Sequence, residues 1–370
     1  MLKRILSSLL LILFGNATQS QVPASAQQPP MKIAIVGLVH THVHWILGRM
    51  DDGDFEIVGI VEPNRELAQR YAKQYGYSMD LVYDTIDDLL DNTQPQAVTA
   101  FNTIRGHLEV VEKYAPRGIH VMVEKPLAVS LAHAQQMEAL AKKHNIHLLT
   151  NYETTWYGTN LAIKEQLEAK PEAFGPIRKI VIHDGHPGPY ALNINKEFLE
   201  WLIDPYWNGA GALTDFGCYG ANLSTWLLEK RPTSVTAITQ QIRPDLYPEV
   251  DDEATIILTY PEGQAIIQAS WNWNYNRKDM EVYTANSYLH SLNREDLEVM
   301  KSEEEGPKRT KIAAPEKPYH DPFSYFMAVI RAEITVKPYD LSALENNMTV
   351  MEILDAAMRS AKEGKTIYLR

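Results

Sequence analysis

The run His120-Val-Met-Val-Glu-Lys-Pro sets a carboxylate, an amine and a proline side by side at Glu124, Lys125 and Pro126, directly after residues that read as a buried β-strand. Charged side chains are rarely buried without partners, and proline cannot donate to a sheet ladder. The strand therefore ends on two groups that call for a ligand or a partner. A second candidate is Gly209-Ala-Gly-Ala-Leu-Thr-Asp-Phe-Gly-Cys-Tyr-Gly-Ala-Asn222, where Asp215, Tyr219 and Asn222 stand at i, i+4 and i+7. On one continuous helix these three share a polar stripe, and the glycines at its start suit a close backbone approach. A third is the loop from Gly37, which carries His40, His42 and His44. His40 and His44 fall on one helical face, but no neighbouring carboxylate or cysteine completes a ligand set, so no metal is expected. These imidazoles read as loop and helix-start residues near a phosphate.

Such groups need a scaffold, and the hydrophobic pattern supplies one. Strands are expected at Lys32–Gly37, Phe55–Val61, Ala97–Phe101, His120–Val123 and Ile146–Leu149, with helices around 41–49, 65–75, 86–91, 107–114 and 131–144. This alternation predicts an α/β fold: a Rossmann-type, doubly wound parallel sheet over 32–150, whose ligands bind outside the carboxyl ends of the strands. Beyond residue 151 the alternation stops. Strands at 177–183, 234–241, 254–259, 264–271 and 280–284 predict an α+β domain over 151–370 with a largely antiparallel, open sheet. The charged stretch 290–317 reads as a mobile loop or oligomer arm. Helices around 324–331 and 345–363 are expected to return to the first domain.

A dinucleotide fold normally carries G-x-G-x-x-G at its first turn. Here the first glycine is Gly37, while Val39 and His42 take the places of the other two. Glu62, at the end of the second strand, is placed to accept both adenosine ribose hydroxyls and to repel a 2′-phosphate, which favours NAD over NADP.

Composition excludes one class of partner. With 35 basic against 47 acidic residues the chain lacks the concentrated positive surface that nucleic acid demands. At the N-terminus, Lys3 and Arg4 precede an apolar run from Ile5 to Phe14 and an Ala24-Ser-Ala26 site, the pattern of a cleavable export signal over 1–26. About ten apolar residues are too few to span a bilayer, which takes ~20. The single cysteine, Cys218, is remote from that run, so no lipid attachment and no intrachain disulfide are expected. An exported chain, periplasmic or beyond, without a membrane anchor follows.

Gly37, Glu62, His107 and above all Glu124-Lys125-Pro126 resemble the glucose–fructose oxidoreductase and inositol dehydrogenase family, Gfo/Idh/MocA, over residues 32–370. The resemblance implies cofactor contacts from Gly37, Val39, His40, Glu62, Asn102, His107, Glu124, Lys125 and Pro126, with a cis bond before the proline. It further implies that Lys125 bonds the reacting hydroxyl. The family's helix usually reads Asp-x-Gly-x-His-x-x-Asp; Tyr219 stands here for the histidine and Asn222 for the second aspartate. An adjacent ammonium lowers a phenol's pKa, so Lys125 and Tyr219 are expected to share the proton, with Asp215 orienting the lysine or a substrate hydroxyl. Tryptophans 156, 201, 207, 271 and 273 suit the faces of a sugar, and Asn151, Tyr152, Trp156, His186 and Asn222 are the substrate-pocket candidates. Subunits of the family usually pair through the open sheet of the second domain. The expectation is an exported NAD-dependent oxidoreductase acting on a sugar or sugar derivative. The alternatives are a glycosidase of the same family that oxidises transiently with a retained NAD, and a non-catalytic sugar-binding relative.

Overall fold

The structure, a computed structural model, describes residues 29–50, 52–192 and 194–369. The expected export signal lies outside the described residues. Strands β1 (Met31–Val36), β2 (Phe55–Val61), β3 (Val82–Tyr83), β4 (Ala97–Ala100), β5 (His120–Glu124) and β6 (Leu148–Asn151) form one parallel sheet in the order β3-β2-β1-β4-β5-β6. The intervening helices are α1 (Val43–Leu47), α2 (Arg65–Tyr75), α3 (Ile86–Asn92), α4 (His107–Tyr114) and α5 (Leu131–His144). Because side chains alternate along a strand, Ile33 and Ile35 of β1 enter the core under α1 and α2, while Ala34 and Val36 enter the core on the opposite face. Strand order reverses between β1 and β4, and a ligand crevice opens at such a point.

After α6 (Gly158–Ala169) and α7 (Pro171–Phe174), β7 (Ile177–Gly185) starts a second sheet. Helices α8 (Lys196–Leu202), α9 (Pro205–Asn208), α10 (Ala212–Asp215) and α11 (Gly217–Leu228) follow. The sheet is completed by β8 (Ser234–Gln240), β9 (Glu253–Thr259), β10 (Gln264–Ser270), β11 (Arg277–Thr284), β12 (Tyr288–Ser291), β13 (Asp296–Met300), β14 (Lys308–Lys311) and β15 (Ile367–Tyr368). Its order is β14-β13-β12-β11-β7-β10-β9-β8-β15, antiparallel throughout except between β7 and β10. Helix α12 (Pro322–Ile330) returns to the first sheet, where Phe323 meets Phe55 and Phe101. Helix α13 (Leu344–Glu363) packs on α5, α11 and β8.

Two expectations are corrected. The charged stretch 290–317 is not loop throughout, since it supplies the end of β12 and all of β13 and β14. All of β14 is exposed, so these strands hold by backbone pairing and by opposite charges in register, Glu298 facing Arg309 and Asp296 facing Lys311. A hydropathy pattern cannot reveal such strands. The glycine-rich helix is likewise broken at Phe216, between α10 and α11, so the stripe of Asp215, Tyr219 and Asn222 is not continuous.

The start of α10 is clamped by Asp251, whose carboxylate accepts the backbone N–H groups of Gly211 at 3.0 Å and Leu213 at 2.7 Å. A Cβ on Gly211 would stand 1.8 Å from the Asp251 carbonyl oxygen. Gly211→Ala is therefore expected to destabilise the chain by about 1–3 kcal/mol through overpacking. Urea unfolding should show a lower midpoint at unchanged slope; an unaltered midpoint would refute the clamp.

Candidate active site

Lys125 follows β5 directly, and its peptide bond to Pro126 is cis, as expected. The lysine is almost fully buried, and its ammonium donates to the Asp215 carbonyl oxygen at 2.9 Å and to the Asp215 carboxylate. The second carboxylate oxygen accepts the Trp271 indole N–H at 2.9 Å. Burial pulls the lysine's pKa down, but Asp215 outweighs it and the net shift is upward. Burial also raises Asp215, yet the Lys125 charge brings its pKa to about 2. At neutral pH the pair is ionised.

Tyr219 lies alongside, but not as the sequence suggests. Lys125 Nζ stands 5.1 Å from the centre of its ring, and Lys278 Nζ 4.8 Å, so two ammonium groups flank the aromatic ring. Burial, reinforced by Glu153, pushes the Tyr219 phenol well above its ordinary pKa. The expected lowering by Lys125 is overturned because burial dominates. Tyr219 remains a neutral hydroxyl.

Lys278 was not foreseen. It sits on β11 with Met280 and Val282 facing the same way, and it pairs with Glu153. Extending the alternation of that strand two residues backwards, to Lys278, would have revealed it. Asp184, on the neighbouring β7, is also new: both its carboxylate oxygens are buried without a partner, and burial raises its pKa well above the usual carboxylate range.

These groups surround a cavity of about 150 Å³ whose wall includes His40, Lys125, His186, Asp215, Tyr219 and Lys278. His186 and Lys278 also border an adjacent cleft of about 660 Å³. Of the expected substrate residues, only His186 faces this cavity; burial lowers its pKa to about 4, leaving it neutral. Asn222 is turned away, donating to the Leu341 carbonyl at 2.8 Å to tie α11 to the segment before α13. Tyr219 and Asn222 share α11, and the break at Phe216 takes Asp215 out of line with them. Asn151 bridges Glu124 and the Trp156 indole, at 2.8 and 3.0 Å, below the cavity floor. Tyr152 is fully buried with its ring edge-on to Tyr219, 5.4 Å away. Trp156 borders a separate pocket of about 580 Å³.

The expected cofactor residues gather at the ends of β1, β2, β4 and β5. Gly37 has φ +81°, and a Cβ there would strike the Asn102 backbone at 2.6 Å. Glu62 is buried and braces the turn, accepting Leu38 N–H at 2.8 Å and Asn64 N–H at 2.9 Å. Asn102 keeps its Oδ1 buried without a partner at the point where strand order reverses. A left-handed glycine, a strand-end acid and an orphaned acceptor fit the dinucleotide that this fold implies. Val39 is half-buried against both cores. His107 is fully buried and braces the turn after Pro126 through the Leu127 carbonyl, 3.1 Å away. Glu124 pairs with His42 at 2.9 Å, so the carboxylate that seemed absent around the histidines comes from β5. Across these strand ends runs a strap made of α8 and α9. Asn195 donates to the Tyr71 hydroxyl at 2.8 Å, Arg70 bonds Glu197 at 2.8 Å, and Arg105 stacks on Tyr206 at 3.9 Å. Between these anchors Phe198 and Trp201 pack on His40.

Residues 31–152 match the oxidoreductase family with an NAD-binding Rossmann fold, and residues 161–290 match the GFO/IDH/MocA C-terminal domain. The chain belongs to the GFO/IDH/MocA oxidoreductase family. It is similar to a trans-1,2-dihydrobenzene-1,2-diol dehydrogenase of Xenopus laevis, 29% identical over 229 residues, which are 59% of this chain and 61% of that protein. A 1,5-anhydro-D-fructose reductase of Ensifer adhaerens is 23% identical over 195 residues, 53% of this chain and 56% of that one. The matches thus span about six tenths of the length of these curated relatives. Among solved structures, the aldose–aldose oxidoreductase of Caulobacter crescentus shares the fold at a TM-score of 0.76, with 22% identity over 92% of this chain and all of that one.

The acid limb of stability follows from the paired carboxylates. Asp215 and Glu153 both have pKa values of about 2, below their unfolded values of ~3.9 and ~4.3, so the folded state binds fewer protons there. Their contribution is complete above the unfolded values and is lost as pH falls from ~4 towards 2. Asp215→Asn should lower the melting temperature at pH 7, because it leaves Lys125 buried without its counter-charge, and should flatten the decline below pH 4. An equally steep decline in the variant, read by calorimetry, would remove Asp215 from this account.

Proposed function

We propose that this chain is an exported, NAD-dependent oxidoreductase that interconverts a hydroxyl and a carbonyl on a sugar or sugar derivative. The observation that carries the reading is the Lys125–Asp215 pair against the Tyr219 ring, walling a cavity beside the strand ends that fit a dinucleotide. The nicotinamide supplies the hydride acceptor or donor. Lys125 offers an ammonium to the reacting oxygen, Asp215 holds that ammonium in place, and the Tyr219 hydroxyl stands by as a neutral donor. Both groups are protonated at neutral pH, which suits delivery of a proton to a carbonyl. Glu62 is assigned to the adenosine ribose, with NAD preferred over NADP.

Relatives named for 1,5-anhydro-D-fructose and for D-glucosides support a sugar-like substrate. A second reading, the glycosidase that oxidises its substrate transiently, gains support from the strap, whose anchors on α2 and beside Arg105 would hold a cofactor in place between turnovers. The outward face of the second sheet exposes Ile238 and half-buries Val181, Ile257 and Ile266, which suits pairing of subunits there.

Export predicts a mature chain starting near Gln27 without lipid; recovery of Met1 by N-terminal sequencing of the exported fraction would overturn it. For the chemistry, Tyr219→Phe keeps the ring and removes the hydroxyl, and is expected to slow turnover by ~10²–10⁴. Lys125→Met should do at least as much, and the double variant little more, since groups acting as a unit are not additive. NAD affinity should barely move in Tyr219→Phe. Near-normal turnover in Tyr219→Phe would leave the phenol a packing residue and Lys125 the sole donor.

A further inference from the structure

The chemistry proposed above gives His40, His42 and Glu124 no role beyond the cofactor contacts that the family resemblance implies for His40 and Glu124. His40 and Glu124 are almost fully buried and His42 is partly exposed, and one donor atom from each of the three lies within 4.8 Å of the others. They reach one point from two elements: the turn after β1 brings both histidines, and the end of β5 brings the carboxylate.

A hydrogen bond joins His42 Nδ1 to Glu124 Oε2 at 2.9 Å, and the His42 backbone N–H donates to His40 Nδ1 at 3.2 Å, so Nε2 is the His40 nitrogen left for a ligand. His40 sits between His42 and the rings of Phe198 and Trp201, 4.9 and 5.9 Å from its own. An apolar side chain would fill that slot without the cost of desolvating an imidazole. Neutral imidazole and carboxylate are the forms that ligate metal.

The surroundings supply outer support of the kind metal ligands have. Asn151 donates to Glu124 Oε1 at 2.8 Å and is itself held by the Trp156 indole, which leaves Oε2 facing His42. The His42 ring is stacked on Trp45, 3.9 Å away. The Asn151 and Trp45 contacts orient the donors, while the hydrogen bond between His42 Nδ1 and Glu124 Oε2 would give way to the ion. Val39 and His42 stand where a dinucleotide turn would carry its second and third glycines, so this chain has given up close backbone approach at the place where it installs imidazoles.

We propose that His40, His42 and Glu124 bind one divalent transition-metal ion of the zinc class. Two imidazole nitrogens and one carboxylate suit zinc or a similar ion, with Zn–N and Zn–O bonds of ~2.0–2.2 Å, and leave at least one coordination position for another oxygen. His40 and His42 both line the 150 Å³ cavity that holds Lys125 and Tyr219, so that position opens towards the reacting oxygen. Only this last point rests on the function proposed above; binding of the ion does not.

The test uses the untagged mature chain, stripped with a chelator, dialysed, and titrated with Zn²⁺ by calorimetry without NAD or sugar. One ion per chain is expected, bound more tightly than Mn²⁺, as the order of divalent affinities requires. Glu124→Gln and His42→Ala should abolish stoichiometric binding. Asn151→Ala, which touches only the carboxylate's support, should weaken it ~10–100-fold. His42 is partly exposed, so its variant should remain folded, as circular dichroism will verify, even if Glu124→Gln does not. Absence of a one-to-one isotherm, or equal zinc affinity in wild type and His42→Ala, would overturn the site. Because NAD binding is measured separately, failure here leaves the oxidoreductase reading untouched.

Discussion

The buried ion pair between Lys125 and Asp215 is the constraint on which the rest of the site depends. An ammonium withdrawn from water is strongly destabilising unless a carboxylate and further acceptors meet it. Lys125 belongs to the end of β5 in the first sheet, and Asp215 to α10, which leans on the second. Their contact therefore couples the two halves of the molecule at the mouth of the cavity. The Trp271 indole and the Asp251 clamp on Gly211 and Leu213 keep Asp215 where the lysine needs it.

That commitment sets the chemistry of the neighbours. With its ammonium engaged by Asp215, Lys125 meets Tyr219 face-on and does not draw its proton away. Lys278 approaches the same ring under the hold of Glu153, so the phenol sits in a positive field yet keeps its proton, because burial dominates. At neutral pH Lys125 and Tyr219 face the cavity protonated, beside an ionised Asp215 and a neutral His186. Asp184, buried without a partner near Lys278, adds a carboxyl that desolvation holds towards its protonated form.

The turn after β1 shows how a common scaffold is adapted. Gly37 and Glu62 retain the positions a dinucleotide asks for, and Asn102 packs against Gly37 at the reversal of strand order. The same turn carries imidazoles where further glycines would stand, and the strap of α8 and α9 closes over them. The first sheet is thus conventional in its topology and particular at the rim that decides what it holds.

Five strands of the first sheet were legible in the sequence because they are apolar runs with period-3.6 helices between them, whereas the two-residue β3 is too short to leave a pattern. Glu124-Lys125-Pro126 could be located from sequence alone, since two charges ending an apolar strand leave no other reading. What failed was everything that depended on how distant segments meet. Asp215 left the expected stripe because the chain breaks at Phe216, Asn222 was taken up by the Leu341 carbonyl, Lys278 joined the site from a strand far along the chain, and β14 pairs with β13 through charges that no hydropathy pattern marks. His42 found its carboxylate in Glu124, across the sheet at 2.9 Å. Local sequence determined which residues carry charge and which stretches form strands and helices, because propensity and periodicity act over a few residues. Only the tertiary structure decided the partner of each charge, and with it whether Lys125 activates Tyr219 or is held by Asp215, because a buried charge takes its properties from the groups packed around it.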